Sequence, residues 1–416
     1  MAFALAVAYC VIVSIRIGLT LLNVWHLRRH ETVVPPELAG SVDLTTLQKS
    51  SRYTQDRARF GVVTALGSAA AVLVFLFGGG LALYDAWVRE LATGFVLHGV
   101  VFFVGLTLLG AVLELPLSAY STFRIEARHG FNRTTPGLFL SDWLKSTLLG
   151  AVIVALLSAG GLALVRAAPE TWWFFAWIGF TAFGIFMMYI APYVIEPLFF
   201  KMTPLGAEEL RADVERLAAR CGVRVAQVLE MDASRRSSHS NAYFTGLGRV
   251  KRVVLFDTLL ERMTREEVLA VLAHELGHWK LKHVTKSLLL SAALSLAGLY
   301  LAHALLGFEA LPGLVGLDEA SFPARALIVG FVFSLVGFPL TPLFALRSRA
   351  HEWQADRFAS ELTSRPQDLG TALVKLARDN LSNLHPHPLY AAFYYSHPPM
   401  IERVRRLLPH GVPREA

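Results

Sequence analysis

The stretch that decides the fold is residues 95–117, FVLHGVVFFVGLTLLGAVLELPL, in which His98 and Glu114 are the only titratable side chains. As a helix it would be about 35 Å long, enough to cross the roughly 30 Å hydrocarbon core of a bilayer. Six further stretches read the same way, at about 2 to 22, 61 to 84, 147 to 166, 172 to 195, 287 to 306 and 325 to 346. With 54% apolar and 17% charged residues, the composition excludes an ordinary soluble protein. The first stretch has no basic residue ahead of it and carries Arg16, so we expect a retained anchor and not a cleaved signal.

The loops differ in charge. Arg28, Arg29, Lys49, Arg52, Arg57 and Arg59 follow the first span, and Arg124, Arg128, Arg133 and Lys145 follow the third. Alternate loops offer only Arg89, Arg166 and Arg325, beside Asp85, Glu90, Glu170, Asp318 and Glu319. Basic residues next to spans tend to stay cytoplasmic. The expected topology is therefore a multi-pass protein with its N-terminus outside or lumenal and residues 196–286 and the C-terminal region in the cytoplasm. It fits a bacterial inner membrane or an endoplasmic reticulum membrane. The net charge of +7 follows from this topology and contact with the lipid bilayer, and no nucleic-acid motif accompanies it. Cys10 and Cys221 are too far apart in sequence for a thiolate cluster, so any metal must be held by histidine and carboxylate.

These limits divide the chain into spans one to five with their loops (1–195, cytoplasmic loops 23–60 and 118–146), a polar region (196–286), spans six and seven (287–346) and a second polar region (347–416). Within 196–286 a helix is expected at 207–222 and strands at 225–231 and 250–256, separated by the polar run 234–241. Gly78-Gly79-Gly80 marks a helix terminus. Helices are expected at 347–363, 367–380 and 399–408.

The chemistry concentrates in His274-Glu275-Leu276-Gly277-His278. Histidines at i and i+4 share a helical face and can grip one Zn2+ ion, while the intervening glutamate can reach a water on it. Thr264-Arg265-Glu266-Glu267 has the form of a capping box, which starts the required helix independently of the motif. Zinc needs a third protein ligand, and Glu352 is the candidate. Asp356, one turn further on, could accept a hydrogen bond from a ligand histidine. Without the histidine motif that pair would read as an exposed acidic helix face; beside the motif it reads as metal ligand and hydrogen-bond acceptor. Asn241, Ala242 and Tyr243 lie just ahead of the second strand, either as a peptide-binding edge or as a polar turn with Tyr243 beneath it. His283, His351 and Trp279 read as structural. Arg16 and Glu114 suit a wet cavity better than lipid, Arg16 having snorkelling as an alternative, and His98 reads as a packed side chain.

Taken together the residues resemble the integral-membrane CaaX prenyl proteases over nearly the whole chain. The segments that carry the resemblance are Arg57-Ala58-Arg59-Phe60, His129-Gly130-Phe131-Asn132, Pro197-Leu198-Phe199 with Thr203-Pro204-Leu205, and Ser238 to Phe244. They continue with the zinc motif followed by Trp279, the Glu352 to Asp356 segment, and Ser396-His397-Pro398-Pro399. Phe200 departs from the family, where a polar Asn or Asp is expected.

The resemblance implies an all-α membrane protein, seven transmembrane helices around a chamber, with a small α+β zinc metalloprotease domain on the cytoplasmic side. It further implies one zinc per chain on His274, His278 and Glu352, with Glu275 as general base and His397 as a donor to the oxyanion or the substrate backbone. The segment Asn241 to Tyr243 would lie along the substrate. Arg403 is either site support or a surface ion pair. The implied substrate is a peptide or protein, lipid-modified, cleaved to release a C-terminal tripeptide. A membrane quality-control protease needing no prenyl group is the alternative, and a non-enzymatic transporter the more distant one.

Overall fold

The structure, a computed structural model, describes residues 1–246 and 250–408. The helix α1 covers Ala2–His30. It leads to α2, Leu44–Phe77, started by Asp43, whose side chain accepts from Thr46 N at 2.8 Å. The predicted second span overshoots: α2 stops at Phe77 because Gly79 takes φ 86°, and a separate helix α3, Gly80–Leu91, follows. The next helices are α4 (Phe95–Tyr120), α5 (Pro136–Ala167) and α6 (Trp172–Ile190), with short α7 at Glu196–Phe199.

A compact unit then forms from β1 (Met202–Pro204), α8 (Glu208–Arg220), β2 (Arg224–Met231), β3 (Ala242–Thr245) and β4 (Val250–Phe256). After short α9 (Asp257–Leu260) come α10 (Arg265–Lys280), α11 (His283–Leu306) and α12 (Phe322–Thr363). The chain ends in α13 (Pro366–Asp379), α14 (Pro388–Tyr394) and α15 (Met400–Leu407). Residues 409–416, the end of the expected 347–416 region, lie outside the described residues.

Among the described residues seven helices are long and apolar enough to span a bilayer: α1, α2, α4, α5, α6, α11 and α12. Each touches the next in a closed circuit, α2 meeting the π-helical end of α4 and α12 returning to α1. Their most apolar stretches are only 0–17% buried. A solid bundle would bury its inward faces. Helices with both faces accessible stand instead around an open interior, with lipid outside.

The longest of them corrects the sequence reading. A span at 325–346 and a separate helix at 347–363 are one unbroken helix, α12, which crosses the expected division at 346/347. Its 42 residues extend for about 63 Å, twice what the hydrocarbon requires. The surplus carries Glu352 and Asp356 out of the membrane region into the compact unit.

That unit has four strands among the described residues, ordered β1-β2-β4-β3, with β2 and β4 parallel and the outer pairs antiparallel. Neither β1 nor β3 was expected as a strand, because three or four residues carry no readable alternation. Against the sheet, Val253 and Leu255 of β4 join Leu272 and Leu276 of α10, Leu369 and Val374 of α13, and Val404 of α15 in one core. The polar 347–408 segment thus folds with residues 202–280. The basic loops dock at the same end: Arg133 N donates to Arg236 O at 3.1 Å, Ser238 N donates to Phe131 O at 3.1 Å, and the rings of Phe131 and His239 stack 4.1 Å apart.

Two of the sequence's oddities find their places there and in the helices. Arg236 lies 4.6 Å from the centre of the Phe200 ring while chelating Asp142 at 2.8 and 3.1 Å. A cation–π contact therefore stands where a polar side chain was expected. Glu114 lines a cavity of about 580 Å³ between α4 and α5.

Candidate metal centre

The helix α10 starts as its sequence demands. Thr264 Oγ1 accepts from Glu267 N at 3.3 Å, and Glu267 Oε2 accepts from Thr264 N at 2.8 Å and from Lys375 Nζ at 2.9 Å. The helix ends where Lys282 takes φ 58°. His283 therefore opens α11 and does not continue α10. Between these limits Gly277 lets α12 come close: a Cβ there would meet Ala355 Cα at 3.1 Å and Phe358 Cδ1 at 3.2 Å. This close crossing presses the histidine face of α10 onto Glu352 and Asp356.

His274 Nε2 lies 3.2 Å from His278 Nε2 and 3.3 Å from Glu352 Oε2, and His278 Nε2 lies 3.2 Å from Glu352 Oε1. Donors about 2.0 Å from a common tetrahedral centre would stand about 3.3 Å apart. Glu352 is 5% exposed, and its Oε2 is buried with no hydrogen-bond partner among the described residues. Burial works against a charged His274, yet Asp356 and Glu352 outweigh it and push its pKa up to about 9. The pocket attracts a cation, which in binding would replace the second imidazole proton. An orphaned carboxylate oxygen among converging imidazole nitrogens fits a metal ion.

Each histidine of the pair is oriented from behind. His274 Nδ1 stands 2.8 Å from Asp356 Oδ1, an acceptor that keeps the proton on Nδ1 and leaves Nε2 to face inward. Asp356 is held in turn by Arg403, Nε to Oδ2 at 2.8 Å and Nη2 to Oδ1 at 2.6 Å. Arg403 is 5% exposed. It is therefore buried support for Asp356, neither a substrate-facing side chain nor a surface ion pair.

For His278 the support comes from a residue read as structural. His283 Nε2 donates to Gln354 Oε1 at 3.1 Å, which leaves His283 Nδ1 to accept from His278 Nδ1 at 3.1 Å. The relay again frees Nε2. His351 stacks on His283 with centroids 4.1 Å apart. Sequence reasoning missed His283 and Gln354. Their only available signal was a third histidine five positions past the motif.

Glu275, half-buried on the same turn, has its carboxyl raised by burial while the flanking histidines pull the other way. His397 is 60% exposed at its side chain; its Nε2 is 3.4 Å from Glu352 Oε2 and its Nδ1 is 2.9 Å from Ser396 Oγ.

The strand β3 packs beside α10, and its outer edge has no strand neighbour among the described residues. Phe256 N donates to Asn241 O at 3.1 Å, so by alternation the main-chain groups of Ala242 and Phe244 point to the free edge. Asn241 is exposed and its Oδ1 accepts from Ala242 N at 2.9 Å. Tyr243 donates to Glu196 Oε2 at 2.9 Å, which anchors the strand to the end of the membrane region.

Similarity to known proteins agrees with this arrangement. The family described as CAAX prenyl protease N-terminal, five membrane helices, matches residues 23–201, and peptidase family M48 matches residues 204–409. The chain belongs to the M48 peptidases. It is 36% identical to the CAAX prenyl protease 1 homolog of Arabidopsis thaliana over 90% of each chain. With the probable CAAX prenyl protease 1 of Schizosaccharomyces pombe it shares 34% identity over 90% of this chain and 81% of that one. The crystal structure of S. mikatae Ste24p superposes with a TM-score of 0.88 at 31% identity, covering 98% of both chains. This M48 peptidase is a multi-pass membrane metallopeptidase whose helices surround a chamber.

Proposed function

We propose that this chain is a zinc endopeptidase that cleaves C-terminal tripeptides from prenylated CaaX-type proteins or peptides. The observation that carries the reading is the convergence of His274 Nε2, His278 Nε2 and Glu352 within 3.2 to 3.3 Å beside the free edge of β3. His274, His278 and Glu352 would hold the ion. Bound there, zinc supplies Lewis acidity to the scissile carbonyl and acidifies the attacking water.

The remaining work falls to side chains. Glu275, its carboxylate basicity raised by burial, takes the proton of the attacking water and passes it to the leaving amine. His397, exposed beside Glu352, donates to the developing oxyanion or to the substrate backbone. Ser396 orients its ring. The substrate lies along β3, pairing with Ala242 and Phe244 as an added strand, and Asn241 holds Ala242 N until it arrives. Asp356 and Arg403 act through His274 as positioning residues. A lipid on the substrate is accommodated by the apolar walls of the chamber.

We assign the peptidase unit to residues 196–286 together with 347–416, on the cytoplasmic side with the basic loops 23–60 and 118–146. The N-terminus then lies outside or in a lumen, in a bacterial inner membrane or an endoplasmic reticulum membrane. Cleavage of one peptide with and without farnesyl, using Glu275→Ala as control, tests the reading. Preference for the farnesylated form is expected. Equal rates would favour a quality-control protease acting on unprenylated chains.

A further inference from the structure

A cavity of about 700 Å³ has Arg16 of α1 and Arg57 of α2 in its wall. Asparagine, tyrosine and histidine side chains make up much of the rest, and no Asp or Glu lines it. Among the described residues neither guanidinium has a carboxylate within 4.0 Å. Arg57 instead reaches Tyr53 Oη at 3.5 Å and lies 5.4 Å from the centre of its ring. The nearby carboxylate, Glu126, is outside the wall; it accepts from Tyr53 at 2.8 and 3.0 Å and lies 3.6 Å from His239. Two cations in a concave space with no carboxylate in its wall call for an anionic occupant.

The position of the cavity says which anion. His239 lines it and precedes Asn241, at the start of β3, by two residues; Tyr395 lines it and precedes His397 by two. Two residues of extended chain span at most about 7 Å. The cavity is thus one step from both the peptide-binding edge and the side chain beside Glu352. A peptide added antiparallel to β3 runs with its C-terminus past Asn241 towards His239, and so into the cavity. Parallel addition would carry the C-terminus away from the arginines and lead the body of the substrate into the cavity.

We propose that this arginine-lined cavity binds the free C-terminal carboxylate of the substrate, so that the segment released by cleavage is selected by its chain end as well as its side chains. Three extended residues cover about 10 Å, a length the cavity can take. The proposal rests on the peptidase reading given above and adds the group that determines where cleavage falls. Arg57 and Arg16 supply charge-assisted donors to the carboxylate, and the tyrosines and Asn23 border it.

The test uses full-length protein in neutral detergent and two matched probes, the tripeptide Val-Ile-Met as free acid and as C-terminal amide. In the wild type the acid should bind about tenfold or more tighter than the amide. Arg57→Gln and Arg16→Gln should each erase most of that difference while leaving amide binding unchanged. Longer farnesylated peptides should show the same acid-over-amide preference in kcat/KM. Equal binding of acid and amide by the wild type, or variants that weaken both alike, would overturn the proposal. So would glycerol phosphate competing as strongly as the tripeptide acid, which would make the cavity a lipid-headgroup site. An acid preference in binding without cleavage of any peptide would indict the peptidase reading and leave the cavity assignment standing.

Discussion

Two buried clusters of carboxylate and histidine sit near opposite ends of α12, and they do different things. At its start, Asp85 accepts from Ser321 N at 3.1 Å, from Ser321 Oγ and from Arg89 at 2.8 Å, with His98 at 3.5 Å. About 45 Å along the same helix, Glu352 meets two imidazole nitrogens and keeps one oxygen without a donor. In the first cluster both carboxylate oxygens find hydrogens, so the group ties a loop to a helix cap. In the second, carboxylate and imidazole lone pairs converge on one point, which is costly unless a proton or a metal cation comes between them. Burial and residue type are shared; the direction of the lone pairs separates a fastener from a candidate metal site.

The largest effect that tests this contrast is on catalysis. Glu275→Ala should keep one equivalent of metal yet lose peptide hydrolysis by about 100- to 10,000-fold, whereas His278→Ala should lose the metal itself, both read by elemental analysis alongside a cleavage assay. Asp85→Ala should change neither. If it stripped the metal, the two clusters would not be independent.

Next in size, Arg403→Met, which frees Asp356 from its bidentate partner, should weaken metal affinity by about 10- to 100-fold in a chelator competition. Gln354→Ala should act in the same direction through His283, near the lower end of that range. An unchanged affinity would show that the relay behind His278 is packing alone. At the other cluster, Asp85→Ala should destabilise the protein by about 1–3 kcal/mol in detergent, because Ser321 N is left without an acceptor. The smallest effect is expected from Phe200→Asn, a loss under about 1 kcal/mol from the contact with Arg236, measured by thermal unfolding.

Much of the architecture was legible because membrane insertion is a local property. Twenty apolar residues in a row have one stable fate in lipid, so all seven spanning helices were found. Their limits were less legible. Gly79 ended α2 earlier than hydropathy suggested, and α12 continued past Arg347 and Arg349 because its polar end is sheltered by α10 and α13. Hydropathy records where lipid ends; where a helix ends depends on what covers its backbone next.

The amino-acid order by itself determined the histidine face of α10 proposed to bind metal, since the i, i+4 spacing, the capping box and the intervening glutamate all act within one helix. It also proposed Glu352 and Asp356, through their own one-turn spacing. Only the tertiary structure decided that Arg403 is buried behind Asp356, 47 positions away, and that His283, on a new helix, holds His278. It alone placed Arg16 and Arg57, from two different helices, on one cavity wall. The physical reason is range: helix periodicity relates residues within a turn or two, whereas the charge and proton balance of a site depends on groups that meet only when the chain closes on itself.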